Sequence, residues 1–139
     1  MSYRSTIHRE RGESGFTLIE LLVVMIVIGI LAAIAIPTFL NQRKNAWRAA
    51  MQTDLKNASI GAQGWSVVSG NGAFTGLNDA NLGAMRGGVA TIGVTVTVVA
   101  TGITGFCLEA TNVNLPGESL FFDSGAGAPG TTDCSTMTY

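Results

Sequence analysis

Apolar and polar positions follow three regimes along the chain. Residues 21–40 (LLVVMIVIGILAAIAIPTFL) carry no charge and are broken only by Gly29, Pro37 and Thr38. About 20 such residues suffice to cross a bilayer core. An apolar run with no polar face predicts a helix that needs a membrane or another apolar partner around it. Next, Trp47, Met51, Leu55, Ala58, Ala62 and Trp65 recur at spacings of 4, 4, 3, 4 and 3, leaving Arg48, Gln52, Lys56 and Asn57 off the stripe. That is one face of an amphipathic helix. The two regimes join without a break, so residues 16 to about 65 are expected to form one helix, near 75 Å at ~1.5 Å per residue. Gly61, Gly64 and the Ser69-Gly70-Asn71-Gly72 cluster are expected to end it.

The third regime has period two. Residues 70–88 read as a loop with a short helical turn near 78–85. In residues 89–99, Ile92, Val94, Val96 and Val98 alternate with Thr91, Thr95 and Thr97, a strand with one buried face. Two further strands are expected at 105–111 (GFCLEAT) and 119–123 (SLFFD), separated by Gly102 and by Asn114-Leu115-Pro116-Gly117. Those separators are turn residues, so the arrangement is an antiparallel meander. The expected fold class is α+β: a long N-terminal helix, hydrophobic and then amphipathic, packed through its Trp47-to-Trp65 stripe on a small antiparallel sheet.

Composition narrows the function. Of 139 residues, 12% are charged and 47% hydrophobic, against about a quarter charged in ordinary soluble domains. A net charge of −1 supplies no general basic field for phosphate contacts, so no nucleic-acid partner is expected. The charge is uneven. Residues 41–60 hold Arg43, Lys44, Arg48 and Lys56 against Asp54, whereas residues 61–139 hold one Arg and five acids. A basic stem and an acidic head are either complementary between neighbouring subunits or two solvated faces. No enzyme is expected and no catalytic residue is assigned: the single histidine, His8, lies near the N-terminus and no nucleophile is marked by its neighbours. No cofactor or metal is expected. Asp123 and Asp133 beside glycine-rich turns are a weak calcium alternative, and Asn57-Ala58-Ser59 is a sequon placed on a helix.

Three readings of the N-terminus compete. Ala33-Ile34-Ala35 is a small-x-small cleavage signature, making a secretory signal peptide. A plain signal anchor explains the length of the apolar run. A processing signal explains Gly15-Phe16-Thr17-Leu18-Ile19-Glu20, with a polar leader carrying Arg4, His8, Arg9 and Arg11 and a cut after Gly15, where the absence of a side chain gives an enzyme close access to the backbone.

The run ESGFTLIELLVVMIVIGILAAIAIPTF resembles the N-terminus of type IV prepilins and pseudopilins, marked by Gly15, by Phe16 after the cut and by Glu20 as the fifth residue beyond it. The resemblance implies processing by a prepilin peptidase and methyltransferase, with cleavage between Gly15 and Phe16 and N-methylation of Phe16. It implies a role for Glu20 in recognition and assembly. It also implies a single-pass precursor in the cytoplasmic membrane, N-terminus inside, then extraction by assembly-platform and motor machinery into an extracellular helical homopolymer. The boundaries implied are a leader at 1–15, a membrane and filament-core half-helix at 16–40, an amphipathic half-helix at 41–68 and a head at 69–139. Gly29 and Pro37 mark a stretch often unwound in assembled filaments of this family. Two cysteines without C-x-x-C spacing cannot complete a zinc site, so Cys107 and Cys134 are expected to pair, as in pilins whose disulfide encloses the C-terminal stretch. Such a bond places the C-terminal half outside the cytoplasm. The alternatives are a pseudopilin of a type II secretion or competence system, and a secreted binding domain released after Ala35.

Overall fold

The first helix, α1, spans Leu18–Val68 in a computed structural model that describes residues 15–85 and 90–139. The chain divides into two units, Met1–Phe39 and Leu40–Tyr139, and α1 contributes to both. In the first unit its large apolar side chains are exposed, from Val24 at 49% to Leu18 at 82%. It is helical through Gly29 and Pro37. Proline leaves the carbonyl four residues before it without its usual donor, and one residue later Thr38 Oγ1 donates to the carbonyl of Ile34 (3.1 Å).

In the second unit the expected stripe is the buried face. Met51, Leu55, Ala58 and Ala62 are fully buried, and Trp47 and Trp65 pack at the two ends of the same cluster. The helix begins two residues later than expected and continues through Gly61 and Gly64 to Val68. A glycine costs a helix only about 1 kcal/mol, which packing of the stripe outweighs. The stop comes where the N–H groups of Ser69 and Gly70 return to the Trp65 carbonyl and that of Gly72 to the Ser66 carbonyl. Asn71 is left-handed there (φ 50°), and a side chain on Gly70 would strike the carbonyl of Ala73.

A short helix, α2 (Asp79–Met85), follows. Asn78 caps it by accepting the N–H of Asn81 on its side chain (3.0 Å). Four antiparallel strands then lie in sequence order: β1 (Val94–Thr101), β2 (Phe106–Asn112), β3 (Ser119–Asp123) and β4 (Pro129–Gly130). Leu108 sits opposite Val98 and Phe122, and Ala110 opposite Val96 and Leu120. These residues, with Phe106, face the α1 stripe in one core. Phe106 stacks with Phe122 (centroids 6.0 Å) and meets Phe74 at 4.8 Å.

Two expectations are corrected. The first strand does not start at 89 with Ile92 inward: β1 starts at Val94, after Gly93 turns the chain with φ 85°, and Ile92 is 98% exposed. A fourth strand is present, too short to have produced a pattern. Asp79 also reaches β1, its Oδ1 accepting the N–H of Val98 (2.6 Å).

Candidate functional site

The N-terminal residues singled out by sequence sit together at the start of α1. Gly15, Phe16 and Thr17 precede the helix. The glycine has open space where a side chain would be, and Phe16 is 77% exposed. Nothing among the described residues requires glycine at position 15. Glu20 lies in the first turn. Its Oε2 accepts from the backbone N–H and the hydroxyl of Thr17, both at 3.5 Å, while the Glu20 N–H donates to Thr17 Oγ1 (3.3 Å). This is a reciprocal cap, Thr at the cap position and Glu three residues on. The spacing Thr17-x-x-Glu20 carries that signal in the sequence. A carboxylate here also faces the positive end of the helix dipole. The leader residues Arg4, His8, Arg9 and Arg11 lie outside the described residues.

The cysteines meet. Cys107 and Cys134 form a disulfide with Cα atoms 5.7 Å apart, both fully buried. The bond ties the start of β2 to the C-terminal loop. Asp123 and Asp133 do not come together as a cation site. Asp123 Oδ1 accepts the Gly125 N–H and the Tyr139 hydroxyl, both at 2.9 Å, and Asp133 accepts the Ser135 N–H (2.8 Å). That hydrogen bond holds the Asp133 carboxyl below its ordinary range. Burial, followed by the bond to Asp123, pushes the Tyr139 phenol up to about 12.

Two side-chain ties were not legible. Asp54, 3% exposed, accepts the N–H and hydroxyl of Thr91 (2.8 and 3.1 Å), pinning the approach to β1 against α1. Arg48 donates from Nε and Nη2 to the two oxygens of Glu118 (2.7 and 2.9 Å). Hydrogen bonding to Arg48 lowers the Glu118 carboxyl from its ordinary value. The partners are 37 and 70 residues apart, beyond the reach of local pattern.

The prokaryotic N-terminal methylation motif matches residues 11–36, which span the Gly15-Phe16 junction, Glu20 and most of the exposed apolar helix. The chain is 40% identical over 78 residues to a type IV major fimbrial protein FimA of Dichelobacter nodosus, covering 55% of this chain and 50% of that protein. A second FimA from the same organism is 37% identical over 102 residues, 70% of this chain and 62% of that one. The type IV major pilin protein PilA of Myxococcus xanthus (strain DK1622) is 52% identical over 42 residues, 30% of this chain and 19% of PilA. The chain thus spans about half to three fifths of the FimA relatives and less of PilA. A long N-terminal helix on an antiparallel sheet, the methylation motif and these relatives support a type IV pilin. The proteins it is similar to are named as type IV major fimbrial and major pilin proteins.

Proposed function

We propose that the chain is the structural subunit of a type IV pilus filament. It is made as a precursor held in the cytoplasmic membrane by residues 16–40, with its N-terminus inside. A prepilin peptidase cuts after Gly15, a methyltransferase modifies the Phe16 amine, and platform and motor machinery feeds the product into a helical homopolymer. The observation that carries this reading is the exposed, charge-free apolar helix joined to a head that has its own core and disulfide. A soluble domain has no use for such a surface; a membrane buries it first and neighbouring helices later. The open space at Gly15 supports selection by an external enzyme.

Cleavage gives Glu20 a new partner, since only then does Phe16 carry a charged amine. A carboxylate taken into an apolar interior costs a few kcal/mol unless paired, and in the filament it pairs with the Phe16 amine of an adjacent subunit. That pairing rewards the correct axial register and leaves a buried charge in any other. Gly29 and Pro37 are where the helix gives way on assembly. Intact-mass analysis of filaments sheared from producing cells tests the processing: the expected subunit begins at Phe16 and carries one methyl group. A subunit beginning at Met1 or Ile36 refutes it.

A further inference from the structure

The charge-free run of α1 ends at Leu40, and the first cations after it, Arg43 and Lys44, are both exposed. At about 1.5 Å per residue they stand about 4.5 and 6 Å beyond the run. A bilayer of about 40–45 Å with a hydrocarbon core of about 30 Å leaves a polar layer of about 5–8 Å on each side. When residues 21–40 fill the core, both cations therefore lie at the depth of the lipid headgroups. Arg48 comes out at about 12 Å and Lys56 at about 24 Å, beyond that layer.

The pairing of these cations follows the same division. Arg48 is satisfied within the chain, donating to both oxygens of Glu118 and to Asn45 Oδ1 (3.0 Å). Among the described residues this is the one ion pair. Lys44 is near enough to act on the Glu118 charge, but both oxygens of that carboxylate already accept from Arg48. Asp54, the one acid among residues 41–60, is buried and accepts from Thr91. Arg43, Lys44 and Arg48 against Glu118 thus leave two positive charges in excess. Arg43 lies over the Trp47 ring (5.0 Å to its centroid). Side chains on a helix lean toward its N-terminus, so the Trp47 indole reaches back toward the apolar run, as aromatic rings do where a span meets water.

We propose that Arg43 and Lys44, with Trp47 beside Arg43, bind the phosphates of anionic phospholipids while the chain is held in the membrane. The proposal rests on the reading of residues 16–40 as a membrane segment. The contact sets how deep the span sits, because sliding inward takes both cations toward hydrocarbon and sliding outward takes them from the phosphates.

The test reconstitutes the full chain in vesicles of equal parts phosphatidylcholine and phosphatidylglycerol, with a trace of either lipid spin-labelled. Electron paramagnetic resonance reads the fraction of label immobilised at the protein. The expected result is a preference for phosphatidylglycerol that falls about fivefold with each cation removed, the equivalent of ~1 kcal/mol per Lys or Arg at an anionic surface. Arg43→Gln and Lys44→Gln should each show that fall and Arg43→Lys should not. Lys56→Gln removes the same charge beyond the headgroup layer and should leave the preference unchanged. Equal immobilisation of the two lipids, a preference that survives Arg43→Gln/Lys44→Gln, or an equal fall in Lys56→Gln overturns the proposal. Abolition by inorganic phosphate at an ionic strength where chloride has no effect marks a free-anion site and overturns the lipid assignment. Absence of immobilised label of either kind overturns the membrane reading itself.

Discussion

Breaking the Cys107–Cys134 bond should cost the head about 3.6 kcal/mol. The bond closes a chain segment with a sequence separation of 27, and the chain-entropy relation for a loop of that length gives this value at 25 °C. For a domain of roughly 100 residues the loss corresponds to about 15–25 °C in Tm. It is a large share of the 5–15 kcal/mol by which small domains are stable. Alanine is the cleanest replacement, because both sulfurs are fully buried and a serine hydroxyl would need a new partner. The assay is urea unfolding of the detergent-solubilised chain followed by tryptophan fluorescence, since Trp47 and Trp65 both pack on the head core. Cys107→Ala, Cys134→Ala and the double variant should unfold at nearly the same urea concentration, because each loses the same single bond. A cost under about 1 kcal/mol, or a double variant well below both singles, would refute the loop-closure reasoning.

Glu20→Gln keeps a residue able to complete the Thr17 cap while removing the charge, so cleavage and membrane insertion should be normal and filaments few or absent by electron microscopy when it is the sole subunit. Abundant filaments of correct register would show that the charge is dispensable. Asp54→Ala should cost about 2 kcal/mol in urea unfolding, because the Thr91 N–H and hydroxyl lose their acceptor, whereas Asp54→Asn, which retains one oxygen, should cost less. Tyr139 should ionise near pH 12 by ultraviolet difference absorbance, against about 10 in the unfolded chain. A raised folded value means that its contribution to stability is whole below pH 10 and lost as the pH rises towards 12; Tyr139→Phe should abolish that part of the pH dependence.

The Trp47-to-Trp65 stripe is legible because helix period and burial coincide there, and the strands expected at 105–111 and 119–123 because short apolar runs lie between turn residues; the first falls one residue later, at Phe106–Asn112. Ile92 misled because it continues the alternation by composition, while Gly93 turns the chain before β1 and leaves Ile92 outside. Gly61 and Gly64 misled because a local helix breaker was weighed without the packing that overrides it. At the N-terminus, Gly15, Phe16 and Glu20 are visible as a local pattern, and residues 11–36 match the prokaryotic N-terminal methylation motif. Asp54–Thr91 and Arg48–Glu118 were invisible because each pair exists only once distant segments are folded together.

The hydrogen bond from Val98 to Asp79 acquires weight when many heads stand side by side. β1 is an outer strand of the sheet, and an outer strand with free N–H groups is a template for any extended segment nearby. The Asp79 carboxylate occupies one such N–H and leaves a negative charge beside it. The other outer strand opens with Pro129, a residue with no N–H to offer. The edges of neighbouring sheets are thereby discouraged from zipping into one another, which leaves any contact at these two edges to side chains.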